Sequence, residues 1–209
     1  MPYRKKGRHY ALPLGVIALL FALIFGFITV VAQYEHVQNV QQEQAASASS
    51  AALAQKQAFI QRLAPYAQTL RVDYGVLPSI TLAQAILESD WGTSKLSSDY
   101  HNLFGVKASS SQPGQELTTR EWVNGQWKTV TARFRVYSDD YASMRDHALL
   151  LDNGTSWNTH QYQTVIAASD YQTAARALQT SGYATDPNYA SKLIAIIQKY
   201  QLNKYDGNK

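Results

Sequence analysis

The sequence predicts an α+β domain, mainly helical with one small β-hairpin lobe. Apolar residues recur at helical spacing through Phe59–Leu87. Asn124-Gly125, flanked by aromatic and β-branched residues, then marks one hairpin with a type I′ turn. After Asp139 the helical period returns and holds to Tyr200. Helices interrupted by a single hairpin make an α+β arrangement.

Residues 1–10 form a basic tail, with Arg4, Lys5, Lys6 and Arg8 and no acid. The other 15 basic residues are matched by 15 acidic ones, so the positive balance of +4 belongs to this tail. A formally neutral remainder argues against a broad nucleic-acid surface. Residues 11–32 are apolar and uncharged, and about 20 such residues suffice to cross a bilayer. Cations ahead of the run predict a single transmembrane helix with a cytoplasmic amino terminus and an extracellular domain. A cleaved signal peptide, with a small-residue site near Val30-Val31-Ala32, is the competing reading. Residues 33–57 are rich in Gln, Ala and Ser and read as a spacer, partly helical.

The catalytic-size domain is expected over 58–203, with 204–209 as a tail. Ile60, Leu63, Ala67 and Leu70 form one stripe of a helix over 59–72. Ser79 is read as the cap of a second helix and Gly92 as its stop. Along the hairpin, Thr119, Glu121 and Val123 share one face, and Lys128 or Arg133 is a candidate cross-strand partner for Glu121. Trp122 and Trp127 fit cross-strand packing near its tip. Helices follow over 141–151, 164–168, 171–180 and 188–200, with Asp186-Pro187 read as cap and first-turn proline of the last. Cysteine is absent, so disulfides and thiolate chemistry are excluded. Five scattered histidines give no paired metal-ligand spacing, and neither a metal nor an organic cofactor is expected.

Glu88 is the chemically informative residue. It sits at the carboxyl end of the apolar helix, where the partial negative charge disfavours a carboxylate, and Trp91 lies a turn away. Both effects raise a carboxyl pKa, which suits a general acid. A frayed helix end pointing into water is the bland alternative. Glycosidic cleavage needs a second group opposite the acid, and Glu121 on the hairpin strand is the candidate.

The residues carry a resemblance. Ala85-Ile-Leu-Glu88-Ser-Asp-Trp-Gly92, Asn102-Leu-Phe-Gly105-Val-Lys107 and Thr119-Arg-Glu121-Trp-Val-Asn-Gly125 resemble the bacterial N-acetylglucosaminidases of glycoside hydrolase family 73. So do Asp146-His147 and Gly182-Tyr183-Ala-Thr-Asp-Pro187 with Tyr189 and Lys192-Leu193. The match spans roughly residues 58–202. It implies a lysozyme-like fold cutting the β-1,4 bond between N-acetylglucosamine and N-acetylmuramic acid in peptidoglycan glycan strands, as a monomer. It further implies that Glu88 is the acid, Glu121 the second carboxylate on a mobile β-lobe, and Tyr183 a groove tyrosine.

Asp90 stands where relatives often carry a small residue; it either raises the pKa of Glu88 or faces water. Trp91 and Phe104 are candidates for stacking on sugar faces or for the core. Asn102 is a candidate for an acetamido contact or for bonding its own turn. Asn153-Gly154-Thr155 matches a glycosylation acceptor that a bacterial wall enzyme does not need. Lytic transglycosylase or muramidase chemistry on the same groove, and a non-catalytic wall-binding scaffold, are the alternatives.

Overall fold

The structure, a computed structural model, describes residues 13–123 and 126–207; for Ile17, Leu20, Phe21, Ile24, 120–123 and Trp127 it describes the backbone alone. The chain divides into two compact units, Met1–Ala54 and Gln55–Lys209. Helix α1 runs Leu14–Tyr74, so the division falls inside it. In the first unit every described side chain on α1 is exposed, and the spacer is helical throughout. Among the described residues no helix is long and apolar enough to cross a membrane. The described residues thus do not show the crossing expected over 11–32, of which residues 11–12 lie outside them.

The second unit is mostly helical with one two-stranded antiparallel sheet, the expected architecture. Ile60, Leu63, Ala67 and Leu70 bury the predicted stripe of α1. Helix α2 (Pro78–Ser89) is buried on all sides from Pro78 to Ile86, as a central helix must be. It packs against α6 (Tyr171–Thr180), α7 (Tyr189–Tyr200) and a 3-10 turn (Leu202–Tyr205). Burying Ile80, Leu82 and Ile86 stabilises by about 1.5–3 kcal/mol each, more than any single cap.

Ser79 does not cap α2. Leu77 is the N-cap residue and makes no side-chain cap bond. Instead the Ser79 backbone N–H and hydroxyl both donate to the Asp206 carboxylate, each at 2.8 Å. A carboxylate there satisfies an orphan amide and meets the positive helix end. Asp206, assigned to a tail by the sequence, thus belongs to the fold. Asp186 likewise does not cap α7: Asn188 holds that position without a side-chain cap bond. Asp186 accepts from the Asn188 amide at 2.8 Å and from Lys192 Nζ at 2.5 Å.

A short helix α3 (Lys95–Tyr100), too brief to show a stripe, follows α2. Strands β1 (Gly114–Val123) and β2 (Gln126–Arg135) pair with Glu121 opposite Lys128 and Trp122 opposite Trp127. The Asn124-Gly125 turn itself lies outside the described residues. Helices α4 (Asp140–Asn153) and α5 (Gln163–Ile166) complete the helical body. The hairpin base is tied to α4 by an Arg135–Asp146 ion pair, and the Tyr137 hydroxyl donates to the same carboxylate at 2.6 Å.

Candidate active site

Helix α2 stops one residue after Glu88. Ser89 Oγ donates to the Ala85 carbonyl at 2.5 Å and accepts from the Gly92 amide at 2.7 Å. Asp90, Trp91 and Gly92 then all take positive φ, at 49°, 61° and 77°. Two non-glycine residues there cost roughly 1–2 kcal/mol each, and Trp91 shows what holds them. Its ring lies edge-on to Phe59 (6.1 Å) and Tyr200 (4.7 Å), with Lys56 Nζ 5.2 Å from its centre. Trp91 is thus placed in packing that fixes the turn after the acid and does not line the groove. Asp90 is exposed, its carboxylate 3.4 Å from Thr93 Oγ1.

Glu88 opens into a groove of about 570 Å³ whose walls include Phe104, Tyr162, Tyr183, Gln161 and Trp157. It keeps solvent access, yet burial among these groups raises its pKa, a shift partly offset by a hydrogen bond from Tyr189 and by the charge of Lys192. The Tyr189 hydroxyl donates to Glu88 Oε1 at 2.8 Å and accepts from Gln84 Nε2 at 3.0 Å. Tyr189 and Gln84 are fully buried. This chain fixes one carboxylate oxygen and leaves the other for the groove. Burial pushes the Tyr189 hydroxyl far up, so it stays a donor. Sequence reading placed Tyr189 in a motif without a role and passed over Gln84, although Gln84 is one helical turn before Glu88.

Tyr183 lines the groove beside Glu88 and stacks on Tyr189 with ring centres 5.7 Å apart. Its pKa is raised well above the ordinary value by burial and then by the charge of Glu88, so it enters the groove as a neutral hydroxyl. Phe104 is buried yet forms groove wall, stacked 4.0 Å from His147. His147 is fully buried with neither ring nitrogen hydrogen-bonded, and burial drives its pKa to about 3. Asn102 is consumed by the fold: Nδ2 donates to the Val106 and Arg135 carbonyls (2.9 and 3.0 Å), and Oδ1 accepts from the Val106 amide (3.0 Å). It pins the loop to the hairpin base and has no free group for an acetamide. Glu121 has its backbone on β1, and its side chain lies outside the described residues. Among the described residues no group of three or more His, Asp or Glu is placed to hold a metal.

Comparison with known proteins identifies the family. The chain is 53% identical over 152 residues to the exo-glucosaminidase LytG of Bacillus subtilis, covering 73% of this chain and 54% of that protein. It is 40% identical over 154 residues to a probable N-acetylmuramidase of Lactococcus lactis, covering 72% and 35%. The chain therefore spans about half, or less, of the length of these curated relatives. The crystal structure of the catalytic domain of the autolysin Auto from Listeria monocytogenes matches with TM-score 0.67 at 37% identity, over 73% of this chain and 88% of that domain. Residues 64–202 match the glucosaminidase family model, described as mannosyl-glycoprotein endo-beta-N-acetylglucosaminidase. With a lysozyme-like helical body, a hairpin lobe and a glutamic acid lining the groove, this chain belongs to the glucosaminidase family.

Proposed function

We propose that the domain is a peptidoglycan hydrolase that cleaves the β-1,4 bond from N-acetylglucosamine to N-acetylmuramic acid, with Glu88 as general acid. The observation that carries this is a groove carboxyl whose pKa is raised by burial while Tyr189 fixes its orientation. Glu88 protonates the leaving oxygen as the glycosidic bond breaks. Tyr183 offers a neutral hydroxyl beside it. Glu121 is the proposed second carboxylate, activating water or steadying the oxocarbenium-like charge while the substrate's acetamido group attacks. Neither route calls on a metal or organic cofactor.

Reducing-end analysis of digested peptidoglycan tests the bond. New N-acetylglucosamine ends support the assignment; N-acetylmuramic or anhydromuramic ends overturn it. In the same digest Glu88→Gln should cost at least about 10²-fold in rate. A second reading, release of units from strand ends rather than internal cleavage, is favoured by the 53% identity to a protein named an exo-glucosaminidase. Product length separates the two: short units from the outset mark end-directed action, and falling average chain length marks internal cleavage.

The reading extends to anchoring in a membrane through residues 11–32, with the domain outside. Four preceding cations and the exposed apolar side chains of Leu19, Leu23, Phe25, Phe27, Ile28 and Val30 support it. Protease added to intact cells should remove the domain while leaving a membrane-bound amino-terminal fragment; domain found free in the medium overturns the anchor.

A further inference from the structure

Among the described large apolar residues of the second unit, Trp157 is 80% exposed. Exposing an indole forgoes the stabilisation that burying it gives, so its setting matters. It makes no ring contact among the described residues, yet it lines the groove that holds Glu88 and Tyr183.

The loop that presents it is tied down by hydrogen bonds at both ends. Thr155 and Asn158 exchange both backbone hydrogen bonds, at 3.0 and 3.1 Å, placing Ser156 and Trp157 at the tip of a tight turn. Gly154 precedes it at φ 69°, where a Cβ would lie 2.4 Å from the Asn158 carbonyl oxygen. Only glycine fits that approach. Gln161 anchors the other side: Oε1 accepts from Thr155 Oγ1 at 2.7 Å and Nε2 donates to the Ser181 carbonyl at 2.9 Å. The Thr155, Asn158 and Gln161 side chains are thus spent on holding the loop, and the tryptophan projects from it into the groove wall. Fixing an aromatic plane beforehand removes the ordering cost that weakens binding.

We propose that Trp157 is a stacking platform for a pyranose ring of the glycan strand, on the groove wall beside the acid. Sugar rings present an apolar C–H face on which an indole plane packs, and N-acetylated hexoses of a wall glycan supply that face at every residue. This assignment rests on the glycan-cleaving reading above for the identity of the occupant. It adds a substrate-binding residue that acts on affinity and leaves the proton transfer at Glu88 untouched.

The test measures binding of a soluble N-acetylglucosamine–N-acetylmuramic acid tetrasaccharide by calorimetry to the full chain carrying Glu88→Gln, which holds substrate without turnover. Adding Trp157→Ala should weaken binding roughly five- to tenfold, whereas Trp157→Phe should keep most of the affinity. With Glu88 intact, Trp157→Ala should raise KM by a similar factor and leave kcat nearly unchanged. The thermal midpoint should not move, because the side chain is exposed. Equal affinity of the alanine variant, loss by phenylalanine equal to that by alanine, or no binding by the Trp157 protein each overturns the platform. If the parent binds through Trp157 but cuts nothing, the hydrolase reading fails while the platform stands.

Discussion

The Tyr189 hydroxyl stands 2.8 Å from Glu88 Oε1, and it donates to that oxygen. Because the bond favours the ionised carboxylate, it lowers a pKa that burial raises. The position of the acid between these two pulls sets the pH at which it keeps its proton.

Tyr189→Phe removes the lowering influence, so the Glu88 pKa climbs further. The protonated form then persists to higher pH, and the alkaline limb of the pH–rate profile shifts upward. Stability should fall by about 1–2 kcal/mol, since the buried Gln84 amide loses its acceptor. Profiles of parent and variant, with denaturant unfolding, check both. An unmoved alkaline limb rules out this hydroxyl as the tuning group.

His147 makes acid stability pH-dependent. Its folded pKa of about 3 lies below the unfolded value of about 6.5. The unfolded chain therefore binds more protons in that interval, and stability present above about pH 6.5 is lost as pH falls towards 3. Glu88 and Asp206, whose folded pKa values are raised, act in the opposite sense. His147→Phe keeps an aromatic partner for Phe104 and should flatten the slope of stability between pH 6 and 4, read from urea midpoints. A slope equal to the parent's sinks the assignment.

Asn102→Ala strips two donors and one acceptor from the loop and hairpin base at once. The loss should be about 2–4 kcal/mol, since buried backbone groups are left without partners. Amide exchange should accelerate at Val106, whose N–H bonds Asn102. Asn102→Asp should restore only part of the stability, because a carboxylate cannot donate to the two carbonyls.

Asp206→Ala should cost about 1–2 kcal/mol by uncapping α2. Ser79→Ala should cost less, because the backbone N–H of residue 79 still donates. In the double variant the losses should fall short of additive, as expected of residues sharing one interaction. Strict additivity measured by urea unfolding shows that the hydroxyl–carboxylate bond contributes nothing.

What spacing encodes was legible here. The stripe of α1, the burial of most of α2 and the single hairpin each follow from period and turn chemistry within a dozen residues. The place of Glu88 at the carboxyl end of α2 was legible for the same reason, but the cause of its raised pKa was not: burial raises it, and Trp91, expected to contribute, packs against Phe59 and Tyr200. Contacts made across the chain were not. Trp91 and Asn102 suggest sugar binding by residue type, but Tyr200 and the Arg135 carbonyl, far along the sequence, take up their side chains. The Tyr189 bond to Glu88 joins positions 101 residues apart, and no local pattern announces it. α3 escaped because six residues cannot show a period, and the exposure of Trp157 depends on a loop whose geometry is tertiary.

Asp206 lies 127 residues beyond the serine it binds. A chain emerging from the ribosome with its amino terminus first has made the arm for Glu88 long before its clamp exists. Until residue 206 is available, the amino end of α2 lacks a partner within the domain for the Ser79 amide. Completion of the amino end of α2 thus waits for synthesis to reach residue 206, and nascent chains halted earlier carry the acid on an open-ended helix.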